Sequence, residues 1–100
     1  MDLFGKLGDI RKKMDEIKSR LDTIYIDEQS SDGKIKITVT ANRKVKEINI
    51  VEAIQTMEKD ELQELLETVI NRALERAETV SENEMRAAGK DLLPGFPGLF

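Results

Sequence analysis

The sequence predicts an α+β fold, in which a three-stranded antiparallel meander lies between an N-terminal helix and a long C-terminal helix. Three observations carry this α-β-β-β-α reading. Leu3, Leu7, Ile10, Met14, Ile17, Leu21 and Ile24 are spaced alternately by three and four, a narrow helical seam of coiled-coil type. Ile35, Ile37, Val39 and Ala41 alternate with Lys34, Lys36, Thr38 and Thr40, which is strand periodicity. From Leu62 to Val80 apolar residues return at helical spacing, with Glu64, Glu67, Glu75, Glu78 and Glu82 on the opposite side.

The first helix is expected from about Gly8 to Thr23, with Leu3 to Leu7 a candidate first turn. Thr23-Ile24-Tyr25-Ile26 is β-branched and aromatic and is expected as the first strand, and Gln29-Ser30-Ser31-Asp32-Gly33 is a turn signal. The middle strand takes Lys34 to Ala41. Asn42-Arg43 is expected to turn the chain, Asn being tolerant of positive φ. The third strand spans Lys44 to Val51, and the step from Val45 to Ile48 breaks the period of two. A bulge or strand end is therefore expected near Lys46 and Glu47. Asp60 and Gln63 resemble a capping box for the last helix, which is expected to stop at Gly89. Residues 1–90 form one domain, and Asp91 to Phe100 is a Pro/Gly-rich apolar tail.

A helix from Asp60 to about Ala88 is roughly 43 Å long. A compact 100-residue globule has a radius of gyration of about 13 Å. The helix therefore overhangs any sheet that one chain supplies, and a second copy is the economical cover for its apolar stripe. A homodimer is expected.

Composition limits the chemistry. The 100 residues contain no Cys and no His, which removes thiolate sites, disulfides and the commonest general base and metal ligand. Hydrophobic residues are 39% and charged residues 36%, a soluble balance with a highly charged surface. Apolar runs are too short to span a bilayer and no signal-type segment opens the chain, so a cytoplasmic location is expected. Glu75 and Glu78 could be imagined as an acid/base couple, but they fall on a solvated helix face with no apolar pocket. No glycine-rich phosphate loop and no convincing metal loop is present, so no enzyme, no cofactor and no small-molecule substrate is expected.

The net charge of -4 conceals a division. Lys34 to Glu47 holds five basic residues and one acid, whereas Glu58 to Arg86 holds nine acids and four basic residues. On helix 1, Lys6, Lys13 and Arg20 recur every seven residues along one flank of the seam, and Arg11 and Lys18 line the other. Most glutamates of the last helix point away from its apolar stripe and do not answer these flanks. Uncompensated cations beside a seam are what a phosphate-binding edge needs, though stems of Lys and Arg also cover apolar surface with their heads in water. Lys34 and Lys36, with Lys44 or Lys46, make a second candidate on the sheet, where lysines also serve to protect strand edges. Aromatic stacking platforms are missing, and three strands separate the two helices, so no helix-turn-helix is formed. Any DNA contact should go mainly to phosphates, with weak sequence choice.

The order of these segments resembles the YbaB/EbfC family. The resemblance lies in Leu3-Phe4-Gly5-Lys6-Leu7-Gly8, in Lys34-Ile35-Lys36-Ile37-Thr38-Val39-Thr40 followed by Val45-Lys46-Glu47-Ile48-Asn49-Ile50, in Leu62 to Ala77 with Asn71, Ala73 and Ala77, and in Leu93-Pro94-Gly95-Phe96. It implies a tweezer-like homodimer that binds double-stranded DNA on the bacterial nucleoid, with helical arms touching the duplex. One departure is local: many members carry Gly in the turn after the middle strand, where this chain has Ala41-Asn42. The candidate DNA-binding residues are Lys6, Arg11, Lys13, Lys18, Arg20, Lys34 and Lys36. The alternative is a dimeric module resembling an acidic secretion chaperone, which the acidic helix and apolar tail would also suit.

Overall fold

A computed structural model describes the backbone of residues 3–51 and 56–92, with side chains from Gly5 to Val51 and from Thr56 to Gly89. The elements run α1 (Leu3–Leu21), β1 (Tyr25–Gln29), β2 (Ile35–Thr40), β3 (Val45–Ile50) and α2 (Lys59–Leu92). The strands form one antiparallel sheet in the order β1-β2-β3. This is the expected α-β-β-β-α architecture.

The seam of α1 is used as its spacing dictates, but unevenly. Leu21 and Ile17 are buried, Met14 and Ile10 are half-buried, and Leu7 is 54% exposed. The gradient follows from an antiparallel approach of α2. Arg20 lies against Glu84, while Lys13 and Ile17 share a cleft with Ala87 and Ala88. The helix already begins at Leu3, so the candidate first turn is helical. Its end is closed by side chains. The Thr23 hydroxyl donates to the Arg20 carbonyl at 2.6 Å, and Asn42 Nδ2 donates to the Lys18 carbonyl at 2.8 Å. Carbonyls orphaned at a helix C-terminus are thereby satisfied.

β1 sits later than expected. Thr23 and Ile24 belong to the connection, and the strand continues through Asp27, Glu28 and Gln29. Those polar residues are strand-compatible because tertiary partners hold them. Thr38 Oγ1 donates to Asp27 Oδ1 at 2.6 Å, and Arg76 Nη1 donates to Glu28 Oε2 at 3.0 Å.

The β1–β2 turn is organised by Ser30, which is only 2% exposed. Its hydroxyl donates to Asp32 Oδ1 at 2.6 Å and accepts from the Ile35 amide at 3.1 Å. The Lys34 amide also donates to Asp32 Oδ1, and Gly33 takes the left-handed φ of 75°. The Ser30 hydroxyl, and then the Lys34 amide, hold the Asp32 carboxyl below its ordinary pKa. Its contribution to stability is therefore present above the ordinary carboxylate range and is lost as pH falls through the folded-state value. Ser30→Ala should lower unfolding stability by roughly 1–2 kcal/mol at neutral pH, because it strands a buried amide. In denaturant unfolding, the gap from the parent should narrow in acid; a variant as stable as the parent at neutral pH would show that the turn does not need this hydroxyl.

The second turn corrects the expectation in detail. Arg43, not Asn42, takes positive φ (63°), and the Asn42 amide is instead spent on α1, donating also to Asp22 Oδ1 at 2.7 Å. The irregularity anticipated near Lys46 and Glu47 is present. Thr38 faces Glu47 while Val39 faces Val45, so Lys46 is the extra residue of a bulge.

α2 begins at Lys59, with Asp60 and Glu61 inside its first turn, so Asp60 is not the cap. Carboxylates there suit the positive end of the helix dipole. Gly89 does not stop the helix either; it is buried and α2 runs on to Leu92. A glycine costs a helix interior about 1 kcal/mol, which is too little to end a helix of this length. The expected tail thus has Asp91 and Leu92 in the helix, and residues 93–100 lie outside the described residues.

The buried line of α2 is Val69, Ala73 and Ala77, all at 0% exposure. Small residues bring this helix close to Ile26, Ile35, Ile37 and Val39, and Ile17, Leu21 and Ala41 complete the core. α2 packs across β2 and β1. On β3, Val45, Ile48 and Ile50 stand opposite Val39, Ile37 and Ile35 and hence face the same side. Val45 and Ile48 are nevertheless each 48% exposed, because neither described helix covers them. The molecule measures 66 × 22 × 16 Å, with a radius of gyration of 18.6 Å against about 13 Å for a compact chain of this length.

Candidate nucleic-acid interface

Every cation of α1 is exposed: Lys6, Arg11, Lys12, Lys13, Lys18 and Arg20. The helix achieves this because its seam spends only the apolar positions on the core. The two flanks differ in what they meet. Lys13 pairs with Glu16 at 3.6 Å within the helix, and Arg20 pairs with Glu84 Oε2 at 3.4 Å across to α2. The acidic helix does answer the basic flank, at this one point. By contrast Lys6, Arg11, Lys12 and Lys18 make no ion pair among the described residues. Exposed pairs such as Lys13–Glu16 contribute little and exchange readily with another anion.

Lys34 and Lys36 do not form one basic face. The Lys34 ammonium turns to Glu61 of α2 at 3.4 Å and is partly buried. Lys36 lies on the open side of the sheet between Gln29 and Asn49. It lines a shallow groove of about 500 Å³ with Asp27, Glu28, Thr38 and Glu47. A phosphate placed there would meet three carboxylates and one ammonium, an unfavourable balance.

Reasoning from the sequence left Arg43, Arg72 and Arg76 unassigned and took Lys44 or Lys46 only as companions of Lys34 and Lys36 on the sheet. Arg72 and Arg76 both pair with Glu28, at 3.7 and 3.0 Å, and Arg76 also donates to the Asp27 carbonyl at 2.6 Å. They clamp β1 to α2. Arg43, Lys44 and Lys46 are exposed at the β2–β3 turn, and Lys44 approaches Asp22 at 3.8 Å. The five-cation run in the sequence was the available signal, but the bulge conceals which way its members point.

Glu75 and Glu78 are both exposed on α2, as their spacing implied. No group of three or more Asp and Glu side chains is placed to hold a metal ion among the described residues. No described helix is long and apolar enough to cross a membrane.

Comparison with known proteins adds the decisive observation: residues 1–92 match the model of the YbaB/EbfC DNA-binding family. The chain belongs to that family. It is 43% identical over 99 residues to a curated Flavobacterium johnsoniae protein named nucleoid-associated protein, which spans 99% of this chain and 92% of the relative. A crystal structure of an uncharacterized Helicobacter pylori protein superposes with a TM-score of 0.74 at 16% identity, covering 83% of this chain and 91% of that one. At that identity the likeness concerns the fold, and it places the YbaB/EbfC chain described here on a backbone also found by experiment. The family is described by DNA binding and not by a catalysed reaction.

Proposed function

We propose that the protein is a non-catalytic, nucleoid-associated homodimer that binds double-stranded DNA in the cytoplasm, mainly through phosphate contacts from α1 and with weak sequence choice. The observation that carries this reading is the row of exposed α1 cations in a member of a DNA-binding family, of which Lys6, Arg11 and Lys18 make no ion pair among the described residues. Lys13 and Arg20 join them by exchanging Glu16 and Glu84 for phosphate. Lys34 and Lys36 are less favoured contacts, given Glu61 and the acidic groove. The name of the Flavobacterium relative supports the nucleoid as the place of action. Lysine and arginine heads on a helix flank address phosphates, which carry no sequence information directly. The binding unit is residues 1–92, the span that α2 closes and the family model matches.

Dimerisation is supported by the half-bare face of β3. Arg72 and Arg76 lie on the β1 side of α2, and at 100° per residue Leu66 and Ile70 fall on the opposite flank, toward β3. Leu66 and Ile70 are half-buried, and Val45 and Ile48 are each 48% exposed. A second copy covers this strip.

The test is a titration of a random duplex of ~30 base pairs over a range of salt. Binding should weaken steeply, with a log–log slope of about −4 to −7, as expected for four to eight phosphate contacts. Absence of binding at low salt and high micromolar protein would overturn the DNA reading and favour capture of a protein segment, which apolar contacts would sustain at high salt.

A further inference from the structure

We propose that the β2–β3 turn is a second phosphate-binding site, at which Arg43, Lys44 and Lys46 grip the DNA backbone beside Lys18 at the end of α1. The inference rests on the DNA-binding reading and assigns it a second element. Sequence separates Lys18 from Arg43 by the β1–β2 hairpin, yet the fold joins them. Asn42 Nδ2 is bonded to the Lys18 carbonyl at 2.8 Å and to Asp22 Oδ1 at 2.7 Å, so the turn is docked on the last turn of α1. From Lys6 to Lys18 the helix axis advances about 18 Å toward this turn. The turn therefore extends the cationic row of α1 at its C-terminal end.

The cations gathered there are poorly matched within the chain. Arg43, Lys46 and Lys18 are exposed and make no ion pair among the described residues. The Lys44 side chain is 72% exposed, and its contact with Asp22 is long at 3.8 Å. Asp22 Oδ1 already accepts from Asn42. Holding like charges together at one tip is unfavourable unless an anion is to be met.

Two backbone features sharpen the argument. Arg43 occupies φ 63°, a left-handed conformation that glycine adopts at far less cost. The chain keeps there a residue whose planar fork suits phosphate oxygens. The bulge makes Lys46 an unpaired residue, and bulges serve to re-aim a side chain. Protection of the β3 edge would explain a lysine on the strand. It does not explain a strained arginine in the turn.

The strain also provides the test. Arg43→Gly should leave the thermal midpoint at or above the parent's while weakening duplex binding about eightfold at 0.1 M salt, the counterion term for one contact. The triple variant Arg43→Gly, Lys44→Gln, Lys46→Gln should lose about 500-fold, and its log–log salt slope should shrink by about 2.7 for each turn engaged. Parent-like affinity and slope in both variants would overturn the site. Should the triple variant lose stability, the single glycine variant decides. A Lys6→Gln, Arg11→Gln variant run alongside separates the two proposals. If it binds weakly while the turn variants bind as the parent does, the turn alone is wrong. If the parent itself does not bind duplex at low salt, the DNA reading falls and takes the turn with it.

Discussion

Reversing Lys6, Arg11 and Lys18 to Glu should weaken binding to a random duplex by at least about 500-fold at 0.1 M salt. Each phosphate contact contributes about 0.9 to the log–log salt slope, which is about eightfold between 1 M and 0.1 M. Three lost contacts multiply to that figure before the new repulsion is counted. The fold should be indifferent. All three side chains are exposed, and none makes an ion pair among the described residues, so surface substitutions of this kind are expected to stay within about 0.5 kcal/mol. Lys18 lies near the end of α1, where a carboxylate meets the negative end of the helix dipole, so that member costs a few tenths more, about 0.3–0.5 kcal/mol. The measurement is a fluorescence-anisotropy titration at several salt concentrations, with sizing and thermal unfolding as controls. A folded triple variant with the parent's affinity and slope would remove α1 from the interface. Lys13 and Arg20 are the poorer choice for this experiment. Reversal at Arg20 would set two carboxylates together beside Glu84 and confound binding with helix packing.

The parts of the fold that were legible in the sequence are those set by local periodicity. Ile35, Ile37 and Val39 alternate, and all are buried. The α1 seam is present, and the broken alternation between Val45 and Ile48 corresponds to a real bulge. What the sequence concealed depends on partners far along the chain. The apolar run Thr23 to Ile26 marks the first strand and Glu28 lies beyond it; Arg72 and Arg76 hold Glu28 in the strand. Gly89 reads as a helix stop, but burial keeps it inside α2. Asn42 reads as the residue of positive φ because its side chain favours local bonds; its amide instead reaches α1 and leaves that conformation to Arg43. The site divides in the same way. Helix flanks follow from spacing alone, so the exposure of the α1 cations was legible. Lys34 and Lys36 were grouped by strand alternation, yet Lys34 lies just before the strand and swings to Glu61. The cluster at the β2–β3 turn could not be placed, since a tether between Asn42 and Lys18 has no periodic signature.

Ile48→Lys should convert the proposed dimer to a monomer of 11.4 kDa without unfolding it. In a single chain the side chain is already 48% exposed, so a lysine there can keep its head in water and cost little. In a symmetric interface the same substitution appears twice, and each ammonium must leave water or push the surfaces apart. A penalty of roughly 3 kcal/mol per site, modest for a buried unpaired charge, makes about 6 kcal/mol per dimer, which is more than four orders of magnitude in the dissociation constant. Analytical ultracentrifugation at micromolar protein should therefore show a monomer with the parent's circular dichroism. Duplex binding should weaken too, and its salt slope should fall by about half, because one set of α1 cations then acts alone. A variant that stays dimeric at the parent's concentration would show that Val45 and Ile48 lie outside the interface. The overhanging end of α2, where Val80 and Met85 are half-buried, would then be the surface that meets the second copy.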